Sequence, residues 1–278
     1  MSPNENLPSF DKDYRFKHTA PPNPSFNYRD PVTSTEQGKD WADGAKEGWE
    51  VFDISKETPA QIYKLMISGI VPRPIAFVST LSEGGIANLA PFSWFNQVSP
   101  NPALISISIS ANSNPDGSPR PKDTVANIKA TKEFTVNIIS EPFIENANIT
   151  SIDAPHGVDE WEISGLTKEP SIHVKPPRVL ESAFSMECTL YAAHDIPSPT
   201  TGKVSTTLIL GLVKYIHVRK DVLTENRTVD PAKFRAVGRL GDVTYARVGE
   251  GFRLARPQWE EDKDKIERGS GKGLVPSL

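Results

Sequence analysis

Two short stretches of this chain carry most of its reactive side chains. The first, RPKDTVAN (120–127), places Arg120 and Lys122 directly before the start of an expected helix. Asp123 can cap that helix and Thr124 adds a hydroxyl, while the backbone N–H groups of the first turn point outward. Cations beside a helix N-terminus are typical of a phosphate site. An ordinary surface helix capped by aspartate explains the same residues equally well.

The second stretch, NLAPFSWF (88–95), combines an amide, a proline and three aromatic side chains within a strand-like pattern. A proline in a strand marks an edge or a bulge and leaves neighbouring backbone N–H and C=O groups free. Free backbone donors beside aromatic walls suit a flat heteroaromatic ligand. Core packing on a bulged strand is the more common use of such aromatic residues. The residues alone leave both interpretations open.

Other kinds of reactive site are not indicated. A Gly-x-Gly-x-x-Gly turn between strand and helix, a Gly-Lys-[Ser/Thr] loop and a Gly-x-Ser-x-Gly elbow are all missing from the sequence. The five histidines are scattered without His-x-x-x-His or Cys-x-x-Cys spacing, so no metal site is expected. We expect Cys188 to be a buried inert thiol and His217 to be structural. The glycine-rich segment 269–273 is expected to be part of a tail without a function.

Composition excludes further classes of function. The formal net charge is −4 and the isoelectric point is about 5.8, which argues against nucleic acid as a main partner. No apolar stretch approaches the roughly 18–20 residues that cross a bilayer, and the N-terminus does not resemble a secretory signal. A single cysteine among 278 residues fits a reducing compartment. We therefore predict a cytoplasmic protein without membrane or nucleic-acid partners.

The elements that must position the two stretches follow a β-rich pattern. Residues 58–69 predict a helix with Thr58 as its cap, and 73–80 predict a strand that a turn joins to the second stretch. In 103–110, three isoleucines alternate with serines, so one face of that strand should be buried. Further expected elements are strands at 133–140, 184–196, 206–218 and 243–257, helices at 123–131 and 141–152, and an irregular region at 157–179.

This pattern of many strands and few short helices predicts a mainly β fold. An antiparallel, Greek-key-like barrel with peripheral short helices removes the exposed strand edges that an open sheet would leave. Three regions are expected along the chain: an irregular N-terminal arm (1–48), a barrel domain (49–257) and a charged, glycine-rich tail (258–278).

Four segments together resemble one protein family. They are 71–109 (VPRPIAFVSTLSEGGIANLAPFSWFNQVSPNPALISISI), 122–140 (KDTVANIKATKEFTVNIIS), 165–190 (GLTKEPSIHVKPPRVLESAFSMECTL) and 238–257 (GRLGDVTYARVGEGFRLARP). In this order they resemble the flavin reductase-like, FMN-binding split-barrel family, and its flavoredoxin-type members most closely. The resemblance implies a split β-barrel and a homodimer with FMN at or near the subunit interface. It also implies redox use of that flavin, with NADH or NADPH as a possible electron donor.

The resemblance also implies which residues bind FMN. The ring would face Asn88, Ala90, Pro91, Phe92, Ser93, Trp94 and Phe95, with Ser79 and Thr80 beside it. Arg120, Lys122, Asp123 and Thr124 would hold the phosphate, and Arg73 and Tyr245 are further candidates. No catalytic side chain is named, because the cofactor carries the chemistry in such proteins. One departure from the family pattern is RLGD at 239–242, where the family more often has RLGG, so Asp242 is expected to alter this loop or its dimer contact.

Two functions follow as hypotheses. The leading one is an FMN-dependent oxidoreductase, either an NAD(P)H-dependent flavin reductase or a redox enzyme that acts on a small molecule. The alternative is a non-enzymatic electron-transfer flavoprotein that resembles flavoredoxin. The sequence does not distinguish NADH from NADPH, and it does not identify the electron acceptor or the role of the N-terminal arm.

Overall fold

The computed structural model describes residues 7–114, 116–155 and 157–268. The predicted glycine-rich segment 269–273 lies outside them. The chain divides into two compact units, one made of Met1–Ile62 with Gly249–Leu278 and the other of Tyr63–Val248. The second unit lies within the predicted barrel domain and contains both reactive stretches.

The regular elements of the described residues are short, apart from two long strands. The strands are β1 (Lys17–Thr19), β2 (Ala76–Leu81), β3 (Ala87–Phe92), β4 (Phe95–Pro100), β5 (Ala103–Ser110), β6 (Asn112–Ser113), β7 (Pro119–Arg120), β8 (Glu133–Asn137), β9 (Lys168–Glu169), β10 (Arg178–Val179), β11 (Phe184–Pro197), β12 (Val204–Val218), β13 (Val237–Arg239), β14 (Tyr245–Arg247) and β15 (Glu250–Phe252). The helices are α1 (Glu36–Asp43), α2 (Pro59–Gly69), α3 (Asp123–Thr131), α4 (Ile144–Ile149), α5 (Glu160–Ser164), α6 (Pro231–Phe234) and α7 (Trp259–Arg268). Short 3₁₀ turns occur at Val32–Ser34, Gly44–Glu47, Glu141–Phe143 and Lys220–Val222.

The first unit is more regular than the irregular arm and the tail that the sequence predicts. Strand β1 pairs in parallel with β15, and helices α1 and α7 lie within the predicted arm and tail. Thr35 caps α1 by accepting a hydrogen bond from the backbone N–H of Gly38. The prediction missed these elements because their apolar residues are few and follow no sustained period.

The second unit is built on a seven-stranded antiparallel sheet in the order β3-β2-β8-β11-β12-β5-β4. Its two edge strands, β3 and β4, follow each other directly in the chain and are joined by Ser93 and Trp94 alone. Such a connection spans at most about 11 Å between Phe92 and Phe95. The sheet must therefore curl until its edges meet, which makes it a barrel.

Side chains from both edges share one core, as a closed sheet requires. Phe92 of β3 and Phe95 of β4 pack against the same buried cluster, which includes Ile105, Ile107 and Ile109. These isoleucines are at most 4% exposed, so the predicted burial of one face of β5 is confirmed. The fold is the mainly β, antiparallel split barrel with short helices that the sequence predicts.

Helix α3 closes one end of this barrel. Its Val125 and Ile128 belong to the barrel core. Asn127 Nδ2 donates to Thr80 Oγ1 of β2 at 3.0 Å, and Asn88 Nδ2 of β3 donates to Thr124 Oγ1 at 3.0 Å. Both bonds are buried, so they fix the position of the helix N-terminus against β2 and β3, which form the first hairpin of the sheet.

A second core covers the opposite face of this hairpin. Phe77 of β2 and Leu89 of β3 pack there with Trp161 of α5. The sequence predicted 157–179 as irregular, whereas α5 and the short strands β9 and β10 form within it. Asp159 caps α5 by accepting from the N–H of Trp161, and Gly165 ends the helix at a φ of 66°. This aspartate-to-glycine pattern is a helix signal that the proline-rich surroundings obscured.

We expect Gly211→Ala to destabilise the barrel by about 1–3 kcal/mol, because a Cβ there overpacks the core. A Cβ on Gly211 of β12 would lie 2.5 Å from Cζ of Phe134. Urea unfolding measures the change in free energy. Gly84→Ala is the control, since the nearest atom to its Cβ would be Ser82 Oγ at 3.7 Å. Equal losses in the two variants would contradict the packing argument.

Candidate functional site

A small cleft beside the N-terminus of α3 brings parts of both reactive stretches together. Asn88 and Ala90 of β3 line it, and so do Arg120, Lys122, Asp123 and Thr124. The other lining residues are Asn112, Thr150, Ile152, Asp153, Ala154 and Glu160. The cleft therefore joins the predicted phosphate end to the first part of the predicted ring segment.

The N-terminus of α3 differs in one detail from the prediction. The helix begins at Asp123 as expected, but Lys122 rather than Asp123 occupies the N-cap position, and no side chain of a described residue caps it. The carbonyl of Lys122 accepts from the N–H groups of Val125 and Ala126 at 2.9 and 3.1 Å. Lys122 forms no ion pair with any described residue, so its ammonium group can serve a ligand.

Arg120, in contrast, lies between two carboxylates. Its guanidinium nitrogens are 3.9 Å from Asp123 Oδ1 and 3.9 Å from Asp153 Oδ1. Asp153 Oδ1 also accepts from Asn112 Nδ2 at 2.6 Å. These contacts hold Arg120 at the cleft and offset part of its charge.

Strand β3 is an edge strand of the sheet, and its outward backbone groups face the cleft region. The N–H of Leu89 points away from β2 and donates to Glu160 Oε2 at 3.2 Å. Since backbone direction alternates along a strand, Pro91 has the same outward orientation as Leu89. The donor that proline lacks is therefore one that the sheet does not need, which explains why a proline is tolerated here.

Glu160 is the most deeply buried carboxyl group of the cleft, with 8% of the residue exposed. Burial raises the pKa of this carboxyl, and the charges of Asp123 and Asp159 raise it further, while the hydrogen bond from Leu89 opposes the shift. The raised pKa means that Glu160 keeps a proton to higher pH than an ordinary glutamate.

The aromatic residues of the second stretch divide between core and surface. Phe92 and Phe95 pack in the barrel core, as the core interpretation expected. Trp94 is 37% exposed, and its ring centroid lies 6.3 Å from that of Tyr63 on α2. Ser93 accepts from Arg73 Nε at 3.4 Å. None of the residues 92–95 lines the cleft. They lie farther along the chain, where β3 meets β4.

Three further predicted residues lie in the interior. Thr80 accepts from Asn127, as described above, and Ser79 on the opposite face of β2 is fully buried without a hydrogen-bond partner among the described residues. Arg73 Nη1 donates to the carbonyls of Ile67 and Ile70 at 2.5 and 2.7 Å, and Nη2 donates to that of Leu240 at 2.8 Å. Burial and the nearby Arg239 lower the pKa of this guanidinium. Arg73 thus connects the end of α2 to Leu240, which directly follows β13.

Tyr245 lies on the second core rather than in the cleft. Its hydroxyl donates to Asn148 Oδ1 of α4 at 2.8 Å, and the guanidinium of Arg239 lies 4.4 Å from its ring centroid. Burial raises the pKa of this phenol. Asp242, the departure from the family pattern, has a φ of 53°, a conformation that glycine adopts more easily. Neither residue lines the cleft.

A larger pocket of about 440 Å³ lies on the other side of Arg120 and Lys122, which line it too. Its walls include Ile109, Val125 and Val204, and Lys129 there is bound to Asp195 at 2.6 Å. The two cations therefore separate a polar cleft at the first hairpin from a more apolar pocket.

Local sequence patterns did not predict the cleft residues that come from other parts of the chain. Thr150, Asp153 and Glu160 follow α4 or begin α5, in a region predicted partly as irregular. The Asp159 cap and the Gly165 stop would have predicted α5. No sequence signal predicts that α5 lies against β3, 71 residues away.

Comparison with known proteins identifies the family of this chain. The sequence profile of the "Flavin reductase like domain" matches residues 68–237. The chain belongs to the flavin reductase-like family. A protein of Aquifex aeolicus is 42% identical over 196 residues, which cover 70% of this chain and 94% of that protein.

Two solved structures share the fold of this chain. Nitrilotriacetate monooxygenase component B from Bacillus cereus aligns with a TM-score of 0.70 and 31% identity over 74% of this chain and 99% of its own. The 2-nitrobenzoate 2-nitroreductase of Pseudomonas fluorescens aligns with a TM-score of 0.66 and 28% identity, over 76% and 98% of the two chains. No helix in the described part of the chain is long and apolar enough to cross a membrane.

The cleft residues fit the phosphate of a flavin by their donor set. Lys122, Arg120, the uncapped N-terminus of α3 and the amide of Asn88 supply cations and N–H donors. Asp123, Asp153 and Glu160 oppose an anion, and Arg120 is close to the first two of these carboxylates. A phosphate dianion is compatible with this set when the negative charge of Glu160 is neutralised.

We expect Arg73→Lys to destabilise the protein by about 2–4 kcal/mol, because an ammonium group cannot reproduce the fork of hydrogen bonds to three carbonyls. Urea unfolding measures the loss. Arg219→Lys is the control: Arg219 is an exposed arginine bound to Asp221 at 2.7 Å, where the expected change is below about 0.5 kcal/mol. A similar small effect at Arg73 would show that its buried contacts do not stabilise the fold.

Proposed function

We propose that the protein is an FMN-dependent oxidoreductase that takes electrons from NADH or NADPH and passes them to a small-molecule acceptor or to free flavin. The observation that carries this proposal is the cleft, which joins two cations and a helix N-terminus to the edge strand β3. The redox activities named for the Bacillus cereus and Pseudomonas fluorescens relatives support the same class of chemistry.

The residues of the chain would divide the binding of FMN between them. Lys122, Arg120 and Thr124 would hold the phosphate at the start of α3. Asn88 and Ala90 would line the path from there towards the segment Pro91–Phe95, where the ring would lie. Thr80 is one layer behind, where its hydrogen bond supports α3.

When bound, FMN would supply the redox chemistry itself, since its ring accepts electrons from a nicotinamide and releases them to an acceptor. The chain would hold and orient the ring along the segment Pro91–Phe95. Trp94 and Tyr63, both partly exposed, provide an apolar surface beside the junction of β3 and β4. No described side chain is needed as an acid or a base for this role.

The test of the proposed function is the visible spectrum of the purified protein after reconstitution with FMN. We expect a bound flavin spectrum that NADH or NADPH bleaches under anaerobic conditions. A bound flavin that only a partner reductase bleaches would instead identify an electron carrier. A protein that retains no FMN would falsify the proposal. We also propose a homodimer, for which light scattering should give twice the mass of the chain.

Lys122→Ala should raise the Kd for FMN by about 5- to 150-fold, equivalent to about 1–3 kcal/mol, through loss of a charge-assisted hydrogen bond. Fluorescence quenching of FMN on binding measures the affinity. Lys129→Ala, on the same helix but outside the cleft and paired with Asp195, serves as the control. Equal affinity in the wild type and the Lys122 variant would place the phosphate elsewhere.

A further inference from the structure

The cleft contains a carboxyl group that phosphate binding does not explain. Glu160 lines the same cleft as Lys122 and Thr124 and is almost completely buried. The charge of an ionised Glu160 would repel a phosphate in this cleft, and burial of the carboxyl reduces its screening by water, which lowers the affinity for an anion. The sequence nevertheless places a glutamate at this position.

We propose that Glu160 binds a proton when the phosphate of a flavin occupies the cleft, so that flavin binding is coupled to proton uptake from the solvent. This inference rests on the proposed binding of FMN and deepens it by making the same site sensitive to pH. Glu160 is in this view a positioning residue of the phosphate end.

The hydrogen bond to β3 determines which oxygen takes the proton. Glu160 Oε2 accepts from the N–H of Leu89 at 3.2 Å, and this oxygen must remain an acceptor for the edge strand. The proton therefore belongs on Oε1. A protonated carboxyl loses its negative charge and gains an O–H donor, which a phosphate oxygen can accept.

The other charged groups around the cleft single out Glu160. Asp123 and Asp153 each lie 3.9 Å from the guanidinium of Arg120, whereas Glu160 forms no ion pair with any described residue. Asp159, the residue before Glu160, is bound to Lys168 at 2.7 Å. The remaining cation, Lys122, lies at the start of α3. Glu160 is thus the carboxyl whose charge the protein compensates least.

The direction of the pH dependence follows from these contacts. In the free protein, burial and the charges of Asp123 and Asp159 already raise the pKa of Glu160. A phosphate adds another negative charge and raises it further, so the bound form holds the proton to higher pH. Affinity for FMN should therefore fall as pH rises above the pKa that Glu160 has in the free protein. The phosphate of free FMN also titrates, near pH 6, and this contribution is the same whichever protein binds the ligand.

The experiment compares FMN binding by the full-length wild type and Glu160→Gln from about pH 5.5 to about pH 8.5, a range that spans the phosphate pKa. Calorimetry in two buffers of different ionisation enthalpy counts the protons taken up. Glutamine keeps a carbonyl acceptor for Leu89 but carries no charge. Glu162→Gln, an exposed glutamate of the same helix, is the matched control. Riboflavin, which lacks the phosphate, is the control ligand.

We expect the wild type and Glu162→Gln to take up more protons on binding FMN than Glu160→Gln does. At the alkaline end Glu160→Gln should bind FMN about tenfold more tightly than the wild type, which corresponds to about one pKa unit of coupling. Riboflavin should bind with the same proton count in all three proteins, because it brings no charge to the cleft.

Equal proton uptake by the wild type and Glu160→Gln would overturn the inference and leave the proposed function intact. A wild type that binds no FMN would instead remove the proposed function, and the inference with it. Infrared difference spectra of the wild type test the inference even if the variant does not fold. A protonated carboxyl band should appear on addition of FMN but not of riboflavin, and its absence with FMN counts against Glu160.

Discussion

The barrel depends on the two-residue connection between its edge strands. Ser93 and Trp94 join β3 to β4, and the covalent chain therefore forces the first and last strands of the sheet together. A connection this short leaves the sheet no open arrangement in which both edges keep their partners. The junction also explains the composition of the surrounding stretch. Phe92 and Phe95 fill the core on either side of it, while Pro91 occupies an outward position that needs no donor.

The candidate site depends on this junction through the position of β3. Two buried amide-to-hydroxyl bonds, from Asn88 to Thr124 and from Asn127 to Thr80, hold α3 against the first hairpin. Such bonds contribute only about 1 kcal/mol each, but leaving a buried amide without its partner costs more. The same contacts therefore stabilise the end of the barrel and set the position of Lys122 relative to the edge of β3. A helix N-terminus placed in this way can bind a phosphate without a separate nucleotide-binding domain.

The charges of the cleft are closely balanced rather than simply positive. Arg120 lies near two carboxylates, Lys122 forms no ion pair among the described residues, and Glu160 accepts a backbone N–H. A site with this composition holds Arg120 in place without a ligand and leaves Lys122 available for one. It also makes the affinity for an anion depend on the protonation of one buried group.

Much of this arrangement follows from local sequence. Cap and stop residues determined α2, the alternation of isoleucine and serine determined the buried face of β5, and four segments in order determined the family. Local patterns sufficed for these features because each depends on residues a few positions apart.

Tertiary structure alone decided which predicted residues share the cleft. It placed Phe92 and Phe95 in the core and Glu160 against Leu89. It also placed Tyr245 of β14 against α4, where its hydroxyl bonds to Asn148. Such contacts join positions far apart in the chain, and they depend on how whole helices and strands pack together. A pattern of neighbouring residues therefore does not predict them.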